Sequence, residues 1–234
     1  MPRPLQTVCL IVFFSAAVFS PVLAPVLAGS QAKTQIQDEA PAVVAFTLDF
    51  PASQPEHYSI RVPSDGPAHY QSSGRLSADS PDNDNFDFDF TVAAETRQRI
   101  FNLAEKAGYF QKDADSHRKN LAFTGKKTLS YKDARRSGES TYNYSSNPAV
   151  EELTNLMQGL AATLEFGHRL QYDRRYQKLA LDEELKRMEE MARSHTLVEI
   201  TAIQPILDGI VADPSVINVT RARAQRLLER AGVR

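Results

Sequence analysis

Strict alternation of hydrophobic and polar residues marks strands in the middle of the chain. Residues 86–92 carry phenylalanine or valine at every second position, with aspartate or threonine between them. Because successive side chains of a strand point to opposite faces of a sheet, we expect a buried phenylalanine face and a solvated aspartate face. Residues 42–50 have the apolar, β-branched composition of an earlier strand.

A hairpin is predicted between residues 58–62 and 67–71, because two short runs of strand-forming residues flank a turn that ends at Gly66. If Gly66 takes the left-handed conformation that follows a type I turn, a bulge forms and Ile60 lies opposite Tyr70. Without the bulge, the apolar residues of the two strands would point to opposite faces, so the pattern favours the bulge.

A second strand pair is expected at residues 128–131 and 141–144, joined by a charged and exposed segment at 133–138. Both strands carry aromatic or aliphatic residues at alternate positions, which is typical of a half-buried hairpin. The pairs expected to face each other are Leu129 with Tyr144 and Tyr131 with Tyr142.

Two amphipathic helices are interleaved with these strands. The first covers residues 93–107 and is expected to stop at Gly108, since glycine readily takes the left-handed conformation at a helix end. The second begins with Asn147 as N-cap and Pro148 as first helical residue, and we expect Gly167 to break it. This order of strands and helices predicts an α+β fold, an antiparallel sheet covered by two helices.

The pattern after Gly167 is helical only. Residues 169–194 are highly charged with a narrow apolar stripe, residues 197–211 are strongly apolar, and Asp213-Pro214 opens a last helix. Apolar residues cover most of the circumference of the middle segment, so a partner must bury them. We expect an intramolecular helical hairpin with the last helix, and a homodimer through these helices is the alternative.

A charged start followed by a long apolar run characterises the N-terminus. Arg3 precedes the nearly unbroken apolar residues 8–19, and small residues lead to Ala28. This pattern is typical of a secretory signal peptide cleaved after Ala28, which would make the mature protein secreted or periplasmic. An uncleaved membrane anchor is the alternative, since a span needs ~20 apolar residues. Pro21 and Pro25 interrupt residues 8–28, the stretch that such an anchor would need, and therefore favour cleavage.

Composition narrows the classes of partner. Cys9 is the only cysteine and lies in the signal, so the mature chain has no disulfide and no thiolate ligand for a metal. The formal net charge of −2 gives no electrostatic reason to expect nucleic acid. The chain divides into a signal peptide (1–28), a flexible leader (29–41), an α+β domain (42–167) and a helical segment (168–234).

The five histidines do not form a predicted metal site. In the bulged hairpin, His57 and His69 lie on the same outer face but four residues apart, or roughly 13 Å, so they cannot share an ion. His117, His168 and His195 stand alone in polar contexts, without the close spacing that metal-ligating histidines show. We therefore assign no metal ligand.

A cluster of aspartates precedes and enters the strand at 86–92. Calcium would need a turn glycine and a terminal bidentate glutamate in this region, and neither is present. A solvated loop leading into a strand with a charged outer face, which blocks edge aggregation, explains the cluster better. Its members are Asp79, Asp82, Asp84, Asp87 and Asp89.

No catalytic or cofactor motif is recognisable. Asp115, Ser116 and His117 are neighbours in a loop rather than a spatial triad, and both the nucleophile elbow and phosphate-binding glycine motifs are absent. In the last helix, Arg223, Arg226 and Arg230 lie opposite the apolar side, where an anionic partner or a membrane surface could bind. The alternative, which we favour, is the attraction of basic residues to a helix C-terminus.

One resemblance is carried by the string from Tyr58 to Val62 with Asp65-Gly66 and Tyr70, and by the helix end at Ala107–Phe110. With a second tyrosine-bearing hairpin, these residues resemble small uncharacterised exported bacterial proteins. The resemblance covers roughly residues 46–166 and implies a strand, helix, strand and helix domain, without an activity.

These observations favour an exported, non-enzymatic binding or scaffolding protein over an enzyme. The expected partner is a protein or another component of the cell envelope, and the mature form is expected to be soluble. No catalytic residue, cofactor or metal is assigned. The alternative is a cell-envelope hydrolase whose active site assembles from scattered residues, without a sequence motif.

Overall fold

A computed structural model describes residues 40–51, 53–75 and 83–232. The predicted signal peptide, its cleavage after Ala28 and most of the predicted leader lie outside these residues. These described residues belong to one compact unit. Within the described part, no helix combines the length and the apolarity that are needed to cross a membrane.

Among the described residues, six strands form one antiparallel sheet, in the order β4-β3-β2-β1-β5-β6. The strand β4 therefore lies at one edge and β6 at the other. The strands are β1 (Val43–Asp49), β2 (His57–Pro63), β3 (Ala68–Arg75), β4 (Asn83–Phe90), β5 (Lys126–Lys132) and β6 (Ser137–Tyr142).

One face of the sheet is buried under two helices, α1 (Ala94–Lys106) and α2 (Pro148–Tyr176). Burial alternates along β1 and β2, as the period of two requires, and Phe46 and Ile60 are fully buried. The α+β fold with an antiparallel sheet and two covering helices is thus confirmed.

The first hairpin has the predicted register. Ile60 pairs with Tyr70, and Gly66 has a φ of +78°, the left-handed conformation on which that register depends. The side chain of Arg97 in α1 donates hydrogen bonds to the carbonyl oxygens of Pro63 and Gly66, so the turn is also held against the helix.

The second hairpin has a different register from the predicted one. Tyr131 pairs with Gly138, because the turn spans only residues 133–136. The carboxylate of Asp133 accepts the backbone N–H of Arg136 at 2.6 Å and the Tyr131 hydroxyl at 2.8 Å, which tightens the turn. A Cβ on Gly138 would lie 2.2 Å from the carbonyl oxygen of Tyr109, so only glycine fits opposite Tyr131. Leu129 faces Ser140, not Tyr144.

The helix α2 begins as predicted and ends later than predicted. The Asn147 side chain accepts the Ala149 N–H at 3.0 Å, which confirms the N-cap. The prediction that Gly167 breaks the helix is wrong, because α2 continues to Tyr176. Gly167 is a site of close packing, where a Cβ would lie 2.6 Å from the Cγ2 atom of Ile203.

The C-terminal segment folds back on the rest of the chain as three helices, α3 (Ala180–Arg193), α4 (Gln204–Ala212) and α5 (Asn218–Arg230). The helix α4 packs against α5 and α2, so the described chain itself buries Leu207 and Ile210. The helix α5 begins later than Pro214, because Asp213 accepts the Ser215 N–H at 2.9 Å in a turn of its own.

Two contacts fasten this segment to the first helices. The carboxylate of Glu199 accepts the Ala93 N–H at 3.0 Å and the Thr96 hydroxyl, and so caps α1, which has no cap of its own. The Thr163 hydroxyl in α2 donates to the carbonyl oxygen of Val198 at 2.7 Å. The division into an α+β domain at 42–167 and a helical segment at 168–234 stays a prediction.

Candidate functional site

A cleft of about 260 Å³ opens between the C-terminal half of α2 and the end of the sheet at β3 and β4. The helix supplies residues three and four positions apart, which is the spacing of one helix face. The polar side chains that line the cleft are Gln54, Ser72, Asp84, Glu165, His168, Arg169 and Asp173, with Tyr172 beside them.

Glu165 is held in place by two hydroxyl groups from β3. Its Oε1 atom accepts the Tyr70 hydroxyl at 2.6 Å and the Ser72 hydroxyl at 2.7 Å. Tyr70 is fully buried and Ser72 is buried, so neither donor can move freely. Burial, together with the charge of Glu165, raises the pKa of Tyr70 well above its usual range, and the phenol stays a hydrogen-bond donor.

His168 lies on top of the edge strand. Its ring stacks on Phe86 with centroids 4.3 Å apart and planes 2° from parallel, and its Nε2 atom lies 3.4 Å from Asp84 Oδ1. The prediction that this histidine stands alone in a polar context is therefore wrong. Within the described residues, no group of three or more histidine, aspartate, glutamate or cysteine side chains could hold a metal ion.

Arg169 brings a positive charge to the lining of the cleft, and its ion-pair partner lies on α3. Its guanidinium binds Glu184 of α3 and lies 4.7 Å from the centroid of the Phe166 ring. Burial, and after it the charge of Glu184, raises the pKa of Asp173. The lining of the cleft therefore carries three carboxyl groups, those of Asp84, Glu165 and Asp173, and one guanidinium group.

The rim of the cleft combines an aromatic ring with closely packed backbone. The Tyr172 side chain is large, apolar and 46% exposed, and its ring lies 5.0 Å from that of Tyr176. On the opposite side, a Cβ on Gly74 would lie 3.0 Å from the backbone nitrogen of Glu56, so β3 passes tightly beneath the loop that contains Pro55.

The outer face of the sheet carries the histidines of the hairpin. The register places His57 opposite Ser73 and His69 opposite Arg61, four residues apart along the strand as predicted. Each histidine pairs with a neighbouring carboxylate, at 2.5 Å to Asp49 for His57 and at 2.8 Å to Asp89 for His69.

The predicted aspartate cluster is distributed over two environments. Asp84 lines the cleft, whereas Asp87 and Asp89 project from the solvated face of the edge strand β4, as predicted. Asp79 and Asp82 lie outside the described residues.

Asp115, Ser116 and His117 form a local loop structure. The Asp115 carboxylate accepts the backbone N–H groups of His117 at 2.6 Å and Asn143 at 2.9 Å, and these bonds lower its pKa. The His117 ring pairs with Asp113 at 2.7 Å. Asp115 thus fixes two loops, and the three residues are loop neighbours, as the sequence predicts.

Lys127 is a buried cation that the sequence analysis missed. Its Nζ atom donates to the Thr124 hydroxyl at 2.8 Å and to the Asn143 carbonyl at 3.0 Å, and lies 5.7 Å from the centroid of the Tyr144 ring. Burial lowers its pKa. Because neutral oxygens surround the ammonium group, we interpret Lys127 as a structural residue that stabilises the β5–β6 end of the sheet through its hydrogen bonds.

The arginines of the last helix bind carboxylates of α3. Arg223 contacts Asp182 at 2.9 Å and Glu189 at 2.7 Å, and Arg226 contacts Glu189 at 2.8 Å. Their partners are intramolecular, so neither an external anion nor the helix dipole is needed to explain them.

Comparisons with protein-family models, with curated proteins and with solved structures find no match for this chain. The function proposed below is therefore argued from the geometry of the cleft.

Proposed function

We propose that the protein is a non-enzymatic binding module whose ligand enters the cleft between α2 and the β3–β4 end of the sheet. The observation that carries the proposal is the Glu165 carboxylate, held by two buried hydroxyl groups beside a cavity. A group that is already fixed in its binding geometry needs no ordering when a ligand arrives, which favours affinity and specificity.

The proposal includes the place where the protein works. The pattern of Arg3, residues 8–19 and Ala28 supports export, with a mature N-terminus at Gly29 and a secreted or periplasmic location. N-terminal sequencing of the protein from its native host tests this. Gly29 as first residue agrees with export, whereas intact Met1 in a membrane fraction indicates the anchor. The ligand is then a component of the envelope or of its surroundings.

A cell-envelope hydrolase is the second candidate, and one observation favours it. The Ser72 hydroxyl donates to the Glu165 carboxylate, and the same cleft contains Asp173, whose raised pKa suits a proton donor. Against it, the Ser72 hydroxyl donates to Glu165, whereas the His168 ring stacks on Phe86 and lies beside Asp84. We therefore favour binding without turnover.

Binding and hydrolysis are separated by one set of assays on the mature protein. Panels of small envelope compounds are tested for a rise in melting temperature, and ester, peptide and glycoside substrates are tested for turnover. Glu165→Gln should abolish the rise in melting temperature. Glu152→Gln, on the exposed part of α2, is the matched control and should leave it unchanged. Turnover that disappears in Ser72→Ala would contradict the binding module.

A further inference from the structure

We infer that the ligand of the cleft is a small organic cation with an ammonium group, which Glu165 anchors and the ring of Tyr172 contacts. This inference rests on the proposed function and gives its ligand a chemical class. It goes further because it predicts which compounds bind and which closely similar compounds do not.

Two hydrogen-bond donors hold the Glu165 carboxylate in a position that favours a cationic ligand. Tyr70 and Ser72 both donate to Oε1, so the carboxylate is fixed at the cavity by side chains that are themselves buried. Hydrogen bonds between a carboxylate and an ammonium group are charge-assisted and stronger than those between neutral groups. A ligand that brings an ammonium group therefore gains most from this anchor.

The charged groups that line the cleft also favour a cationic ligand. Asp84 and Asp173 add carboxyl groups to that of Glu165, so three carboxyl groups line the cleft beside one guanidinium group, that of Arg169, which binds Glu184 of α3. His168 lies 3.4 Å from Asp84, which offsets that carboxylate only when the imidazole is protonated. An anionic ligand would meet repulsion here, whereas a cation would relieve it.

The size of the cavity and the aromatic ring at its rim also suit a small cation. A cavity of about 260 Å³ accepts a small molecule, and the exposed ring of Tyr172 offers a face for a cation. A metal ion is a poorer candidate than an amine for the ligand of these carboxyl groups, since no group of three or more suitable metal-binding side chains occurs in the described part of the chain. A linear or branched amine satisfies the anchor and the ring together.

The test compares putrescine with 1,4-butanediol, which has the same carbon chain with hydroxyl groups in place of ammonium groups. Binding to the mature protein is measured by calorimetry at low salt. Putrescine should bind, with affinity that falls when salt is added, and the diol should bind at least about tenfold more weakly. Calcium chloride serves as the metal arm and should not compete with putrescine.

Three variants locate the binding. Glu165→Gln should weaken putrescine binding by about tenfold or more, and Tyr172→Ala by about threefold. Glu152→Gln should leave the affinity within about twofold, since Glu152 pairs with Arg99 on the exposed side of α2. Circular dichroism and melting temperature show that each variant is folded, and the exposed Tyr172 provides a test even if Glu165→Gln is unstable.

The outcomes distinguish this inference from the proposed function. Equal affinity for putrescine and the diol, displacement of putrescine by calcium, or putrescine binding that Glu165→Gln leaves unchanged would overturn the cation. If a neutral sugar or polyol binds and Glu165→Gln abolishes that binding, the cleft remains a binding site and only the cation is wrong. Turnover of any compound in the cleft would overturn both.

Discussion

The sheet with its covering helices α1 and α2, the sheet half, differs from the C-terminal segment of α3, α4 and α5, the helical half, in the contacts that stabilise it. Side chains of the sheet such as Phe46 and Ile60 are fully buried in an apolar core, where the gain is the removal of hydrocarbon from water. The helices α3 and α5 also share an apolar stripe, yet they are joined by the buried carboxylate of Glu189, which binds Arg223 and Arg226. The contribution of the apolar core should therefore not depend on pH, whereas the contribution of the Glu189 ion pairs should.

The largest effect should come from the sheet. Phe46→Ala removes a fully buried ring from β1 and should reduce the free energy of unfolding by ~3–5 kcal/mol, measured by urea unfolding. Asp87→Ala, on the solvated face of the edge strand, is the control and should change it by less than ~0.5 kcal/mol. Equal effects of the two substitutions would show that the assigned faces of the sheet are wrong.

The next effect concerns Glu189 and depends on pH. Burial raises the pKa of this carboxyl group, but Arg226 and Arg223 outweigh burial and hold the pKa below its ordinary value of 4.5. A lowered pKa means that the ionised group stabilises the fold above pH 4.5, and that this contribution is lost as the pH falls through the lowered pKa.

Glu189→Gln should therefore be less stable than the wild type at pH 7, and the difference should shrink as the pH falls below the ordinary glutamate pKa. Urea unfolding at pH 7 and at successively lower pH measures it. The same pH series on Phe46→Ala should give a constant difference. A pH-independent loss in Glu189→Gln would remove the contrast between the two halves.

A smaller effect is expected at the contact between the halves. Gly167→Ala places a methyl group 2.6 Å from Ile203 and should destabilise by ~1–3 kcal/mol, although alanine favours helix by ~1 kcal/mol. Gly209→Ala is the matched control in α4, because its Cβ would meet only the mobile end of Arg174. Thermal unfolding should show it as neutral or stabilised. The reverse order would mean that α2 and the C-terminal segment do not pack closely.

Local signals in the sequence were enough for the first hairpin of the sheet but not for the second. The left-handed Gly66 determined the register of the first hairpin, because a single residue sets which side chains face each other. The second register failed because Asp133 tightens the turn through its side chain, and because Gly138 is required by the passing backbone of Tyr109. Neither contact can be read from alternation alone.

The helix α2 shows which features local sequence patterns cannot predict. Gly167 has the low helix propensity of a breaker, yet tertiary packing against Ile203 outweighs that preference and the helix continues. The cleft was missed for a similar reason, since Tyr70 and Glu165 are separated by 95 positions in the chain. One signal was present: Glu165 is the only charged residue between Leu153 and Gly167.

The most direct test of the central claim, that this cleft is the binding site, is to map backbone amide chemical shifts during a titration with putrescine. The largest shifts should occur at Ser72 and Gly74 of β3 and across His168–Asp173 of α2, and they should saturate. Outer-face residues such as His57 should not respond. Shifts that scatter over the surface, or that concentrate on the groove of α2 beside His195 and Thr196, would contradict the account.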